Sequence, residues 1–374
     1  YHMKPWWNKI NTMVWTTLDS LPILPQAVDF APKINNYYVW ASFAEKAMKE
    51  LGYNHVKTLR GSLDTSVFNR LDDNKRKNLR SSFGLSNEFI IGFVFRNQLR
   101  KSVPNLLDGF KIFKETHPNC KLLLHTNWAE GWDIPRLLEE KEIDPSSVLT
   151  TYICSNCMTY QVRPFSGQEQ HCPHCGSKKT MNTTNTGKGV TDEQLNEIYN
   201  LMDVYCHPFT SGGQEIPIQE AKLTELITLV TNYSCGEDSC TPESGGIPLK
   251  WSEYREPGTQ FIKASTCSQD IATKLKVVYN MKNEDRIAQG KISRQWVIDN
   301  FSIQVIGKKL EQIIDEMPPI DYDFDADNKI DYNASYEPKG NYASQEEFII
   351  DLYKNILKDR VDSNSSGVKH WVKH

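Results

Sequence analysis

Four cysteines state their chemistry most plainly. Cys154-x-x-Cys157 and Cys172-x-x-Cys175 form two C-x-x-C pairs with 14 residues between them. Thiolates at this spacing, each pair on a knuckle turn, build a closed tetrahedral zinc site. Gly176, directly after the second pair, supplies the turn. Four sulfurs leave no position for a substrate, so the Zn2+ is expected to be structural, with His171 and His174 as substitute ligands nearby. Such a ribbon serves as a platform for protein or nucleic acid, or only orders a long insertion that has no core of its own. Paired C-x-x-C in a chain with no secretory signal also favours a reducing compartment over disulfides. The expected location is therefore cytoplasmic.

A second stretch is "SGGQEIPIQEAK", Ser211 to Lys222. The pair Gly212–Gly213 is expected to adopt positive φ and turn backbone N–H groups outward. A helix that starts near Pro217 adds its positive end, so the turn fits phosphate. Glu220, just inside that helix, is placed to hold ribose or sugar hydroxyls; Glu215 and Glu220 equally well complement the helix dipole. A third stretch, "FVFRNQLRK", puts Arg96 after a buried strand and Lys101 five residues on. Two cations at a strand end can clamp a diphosphate, or they are ordinary loop charges, as Arg100 beside them reads. His125 and His207 each end a strand. Each reads as a ligand contact or as a satisfied buried histidine.

Strands and helices alternate around these residues, as in parallel α/β domains. Residues 1–85 read as a partial N-terminal Rossmann-like domain and linker, with too few strands for a whole one. Residues 86–290 read as a second such domain with an insertion at 152–180, and 291–317 as closing helices. Residues 318–340 form an acidic linker, and 341–374 begin a helical extension. Asp323, Asp325 and Asp327 resemble the start of a calcium loop, but Asn328 and Ala334 break its pattern, and a solvated linker fits better. Trp6, Trp7, Trp15 and Trp40 are expected in packing. With 374 residues, 39% hydrophobic, 24% charged and a net charge of −4, a folded protein is expected and a wholly basic nucleic-acid binder is not. No apolar run approaches the ~18 residues of a membrane span.

The order of these motifs resembles the retaining GT-B glycosyltransferases of the large "group one" nucleotide-sugar family, over about residues 10–316. In that family a strand, an Arg, four residues and a Lys hold the donor diphosphate; here these fall on Arg96 and Lys101. Its later signature, a Glu, seven residues and a Glu, carries a proline and "EA" where Pro217, Glu220 and Ala221 stand. "GVTDEQLNEIYNLMDVYCHPF" matches the segment before it. The resemblance implies two facing Rossmann-like domains and a metal-independent transfer from a nucleotide sugar, with UDP favoured. It implies donor contacts at Gly212, Gly213, Gln214, Glu220, His125, His207 and Val190.

The departures from the family are informative. Gly212 stands where the leading, sugar-contacting Glu is usual, with Glu215 three residues on as its substitute. Leu18–Asp19 stands where His–Asp is usual, which makes Asp19 a candidate catalytic group. The "GGQEIP" variant together with a ribbon resembles bacteriophage enzymes, some of which glycosylate modified DNA bases. A DNA base or a saccharide is therefore the expected acceptor, in the host cytoplasm if phage-encoded. The alternative is a degenerate GT-B scaffold that binds partners through its ribbon and tail.

Overall fold

The computed structural model describes residues 7–185, 187, 189–320, 341–355 and 362–373. The chain forms two compact units, Tyr1–Pro318 and Pro319–His374. The first holds a small parallel sheet, a larger mostly parallel sheet whose central strands are buried and apolar, and a two-stranded antiparallel hairpin.

The N-terminal sheet is β1 (Met13–Thr16), β2 (Asn36–Val39) and β3 (Lys57–Thr58), parallel in that order. Two helices accompany it, α1 (Pro25–Phe30) and α2 (Ser42–Glu50). Gly52, at φ 93°, ends α2 in the left-handed cap that the sequence pattern asks for. The expected packing of Trp15 and Trp40 is present, with ring centroids 5.6 Å apart. Trp6 lies outside the described residues.

The connector is α3 (Asp73–Ser82), capped by the Asp72 carboxylate, which accepts from Lys75 N–H at 2.9 Å. Arg76 and Arg80 pair with Asp203 at 2.8 and 3.1 Å and fasten this helix to the second sheet.

In chain order the second domain runs β4 (Phe89–Val94), α4 (Val103–Thr116), β5 (Cys120–His125), α5 (Ile134–Glu140) and β6 (Val148–Cys154). The insertion follows with β7 (Tyr160–Pro164) and β8 (Met181–Thr183). Then come α6 (Asp192–Leu201), β9 (Val204–His207), α7 (Ile216–Leu223), β10 (Thr228–Thr231), α8 (Gly236–Ser239) and β11 (Ile247–Leu249). A hairpin, β12 (Trp251–Arg255) and β13 (Ile262–Thr266), precedes α9 (Ser268–Asn280), α10 (Asn283–Phe301) and α11 (Ile303–Asp315).

The sheet order is β11-β10-β9-β4-β5-β6-β7, with β8 also on β6. All pairs are parallel except those of β7 and β8 with β6. The chain steps outward from β4 to β6 and returns to β9 on the other side of β4. The β4/β9 boundary is therefore the topological switch point, outside whose carboxyl ends α/β proteins place ligands.

The boundary expected at residue 290 falls inside the single helix α10. That helix returns to the first domain, where Leu63 N–H donates to Phe301 O at 2.9 Å and Ile303 N–H to Leu63 O at 3.2 Å. The second unit contains α12 (Gln345–Asn355) and α13 (Ser366–Val372). The candidate calcium residues Asp323, Asp325 and Asp327 lie outside the described residues. Among those described, no helix is long and apolar enough to cross a membrane.

Candidate functional site

β4 ends at Val94, and the chain passes through Arg96 into a tight turn, Leu99–Lys101. Ser102 follows in a left-handed conformation, φ 42°, rare for a residue with a Cβ. This turn sends Lys101 into the protein rather than out to solvent. Its ammonium meets the Glu215 carboxylate, which also accepts from Arg100. His207 Nε2 lies 3.1 Å from the same carboxylate. An ionised carboxylate only accepts, so Nε2 carries the hydrogen; Nδ1 then accepts from the Tyr205 hydroxyl at 2.8 Å.

Burial alone would raise the Glu215 carboxyl. Lys101, the His207 hydrogen bond and Arg100 outweigh it and hold the group far below the usual carboxylate range. Burial pushes His207 down to about 4 against the opposing pull of Glu215, so the imidazole is neutral at pH 7. The cluster of two cations and one anion thus keeps one net positive charge behind the turn at Ser211.

Several expectations change here. Glu215 stands at the N-cap position of α7 but makes no side-chain cap to it; its carboxylate is spent on Lys101, Arg100 and His207. Both its oxygens are engaged and buried, which leaves it poorly placed to contact a sugar in Gly212's stead. Arg96 and Lys101 do not share a cavity: Arg96 is exposed, 4.0 Å from Glu130, while Lys101 is buried against Glu215. Arg100, read as an ordinary loop charge, is a member of the cluster.

Gly212 and Gly213 do not adopt positive φ. They are needed for close approach instead. A Cβ at Gly213 would meet Asp19 and, at 2.5 Å, Thr17 Cβ of the first domain; one at Gly212 would meet Glu215 Oε1 at 2.8 Å. The Gly212 N–H already donates to Ser234 Oγ at 3.1 Å. Gln214 spans the two domains, with Oε1 accepting from Gly61 N–H at 3.0 Å and Nε2 donating to Gly61 O at 3.2 Å.

The predicted residues gather in two places. Arg96, His125 and Val190 line one cleft of about 230 Å³ with Phe95, Asn127 and Leu195, beyond the ends of β4 and β5. Burial pushes His125 down to about 4, and its Nδ1 lies 3.1 Å from the Thr151 hydroxyl. Asp19 lines a separate cavity of about 280 Å³ between the domains, with Arg100, Ser211 and Lys263. Lys263 is missed by sequence reasoning; the only signal is a lysine inside the otherwise strand-like "FIKAST". Glu220 is pushed up to about 7 by burial, against the lowering effect of the Tyr199 hydroxyl, which donates to it at 2.7 Å.

The four cysteines converge as expected. Their sulfurs all lie within 4.8 Å of one another, with Cys154–Cys175 at 3.8 Å and Cys157–Cys172 at 3.7 Å. Thiolates bound to zinc at ~2.3 Å on tetrahedral corners stand ~3.8 Å apart, so the residues fit Zn2+. The two turns match: Met158 N–H bonds Cys154 O and Gly176 N–H bonds Cys172 O, both at 3.0 Å, with Met158 and Gly176 left-handed. The buried cluster at the ribbon is small, Tyr152, Cys154, Cys172 and Met181, so a metal held by the four sulfurs would stand in for a core.

No family model and no curated protein matches this chain. Solved structures do. The chain is similar to Anabaena Alr3699/HepE in complex with UDP and glucose, at 13% identity and TM-score 0.54, over 78% of this chain and 66% of that one. It is similar to a glycosyltransferase from Rickettsia africae, at 13% identity and TM-score 0.57, over 80% and 69%. It is also similar to a sucrose-phosphate synthase from Thermosynechococcus elongatus, at 14% identity and TM-score 0.54, over 79% and 62%. The chain thus spans about two thirds of the length of these neighbours. Identities this low establish architecture rather than activity: two Rossmann-like domains on either side of a cleft, the fold of the GT-B glycosyltransferases, here with a four-cysteine ribbon inserted after β6.

Proposed function

We propose that this chain transfers a sugar from a nucleotide-diphosphate sugar, UDP being the favoured nucleotide, to an acceptor held between its two domains. The observation that carries the reading is the crowding of cations and a neutral histidine at the β4/β9 switch point, facing Asp19 of the first domain. HepE, of the same fold, binds UDP and UDP-glucose.

In this reading the nucleotide lies in the cleft of Arg96, His125 and Val190, and Glu220 accepts the ribose hydroxyls. Arg96 and the charge of the Arg100–Lys101–Glu215 cluster stabilise the departing diphosphate, a task that needs no divalent metal. The anomeric carbon leaves the phosphate oxygen and bonds the acceptor oxygen, whose proton passes to Asp19. Glu215 acts as a positioning residue that fixes Lys101. The ribbon's Zn2+ is structural.

Calorimetry with UDP-, GDP- and ADP-sugars tests the reading. Binding of none of them would sink it in favour of the scaffold alternative, which the ready neutralisation of Lys101 by Glu215 favours. Lys101→Ala should lower turnover of an accepted donor at least about tenfold, and unchanged turnover would refute the clamp. The acceptor class separates by salt: a DNA acceptor binds with steep salt dependence, and a saccharide does not.

A further inference from the structure

The interdomain cavity sets unspent hydrogen-bond donors around a buried lysine. Its centre is Lys263, on β13. That strand is held from two sides: Ile262 N–H donates to Leu21 O at 2.6 Å and Ala264 N–H to Thr210 O at 2.9 Å. The alternation of the strand then drives the Lys263 side chain inward, where it is only 8% exposed.

Its ammonium donates to Ser20 Oγ at 2.8 Å and to Ser211 Oγ at 2.7 Å. Among the described residues no carboxylate pairs with it. A buried ammonium with only neutral partners is costly to keep.

Several donor hydrogens here have no partner among those described. An ammonium has three N–H groups, and two are used. The two serine hydroxyls lie 3.1 Å apart; one donates to the other, and the second keeps a hydrogen for the cavity. Arg100 lines the same cavity and spends its Nη1 on Glu215 and Ser211 O and its Nε on Gln98, which leaves Nη2. Against these stand Asp19 and Glu256, which pull on Lys263 without pairing with it.

We propose that Lys263, with Arg100 and the Ser20–Ser211 hydroxyls, binds the phosphate or carboxylate of a small anionic acceptor, such as a sugar phosphate, while Asp19 faces the acceptor's hydroxyl. The cavity of about 280 Å³ has room for one such molecule. This inference rests on the transferase reading above, but its test is separate.

Inorganic phosphate and acetate are titrated into the full chain in the presence of saturating UDP, and UDP alone is titrated first. Phosphate or acetate should bind the wild type, and whichever binds more tightly names the anion. Lys263→Met should weaken that binding about tenfold or more, Lys263→Arg should restore it, and Asp19→Asn, by removing a like charge, should strengthen it. Thermal unfolding of each variant shows whether it is folded. If Lys263→Met does not fold, Asp19→Asn decides the matter, and anion binding left unchanged in that folded variant overturns the proposal. Equal anion binding by wild type and a folded Lys263→Met variant overturns it. So does loss of UDP binding in that variant, which would assign Lys263 to the donor. Failure of the wild type to bind UDP would instead sink the transferase reading.

Discussion

Glu215 is the residue whose removal should be felt most. Its carboxylate neutralises a buried lysine and a half-buried arginine, so Glu215→Gln strands Lys101 without a counter-charge. Unfolding by denaturant should show a loss of about 3–5 kcal/mol, the scale for breaking one side of a buried pair; a loss under about 1 kcal/mol would mean that Lys101 relaxes to solvent. His125 and His207 make a pH prediction. Both are buried, with folded values near 4 against about 6.5 unfolded, so between these values the unfolded chain binds more protons. The histidines' share of the stability should therefore be complete above pH 6.5 and fall as pH drops toward 4, by on the order of 3 kcal/mol per histidine, with Glu220, held up near 7, opposing part of that slope. His125→Gln should flatten part of that slope in unfolding curves taken across the window. The sequence made the residue types legible, since cysteine spacing alone found the four thiolates. It could not say which of the adjacent cations Arg96, Arg100 and Lys101 turns inward, because a single left-handed residue, Ser102, decides that.

At the scale of elements, the strand–turn–helix at β9 and α7 was legible from two glycines and a proline, but its reason was not. The glycines serve contact between domains rather than positive φ, and contact partners distant in sequence leave no local pattern. Gly213→Ala would push a methyl against Thr17 and Asp19. The expected cost is about 1–3 kcal/mol, read as a lowered Tm; an unchanged Tm would mean that the Asp19 loop yields freely. The buried strands β4, β5, β9 and β10 were legible from continuous apolar runs. The short strands β8 and β11 have no periodicity long enough to register.

Across the whole molecule, the two-domain plan and the inserted ribbon followed from motif order and cysteine spacing. The return of α10 onto the first domain did not, because it depends on Leu63 meeting Phe301 and Ile303 across more than two hundred residues of chain. The ribbon's dependence on metal is a whole-molecule prediction. Metal analysis should find one zinc per chain. Chelation should open residues 155–181 to protease while the parallel sheet still unfolds cooperatively. Uniform proteolysis of the whole chain would mean instead that the ribbon and the sheet fold as one unit.

β6 gives that prediction a cellular side. All seven of its residues, Val148–Cys154, are buried; among the described residues its outer edge is paired by β7, while β8 pairs with its far end on the β5 side, and both strands belong to the four-cysteine insertion. Losing the metal would uncover an apolar, β-branched strand edge, a template for pairing with another chain. If zinc holds the four cysteines, zinc starvation should shift this protein toward inclusion bodies, so that metal supply would set how much of it stays dispersed.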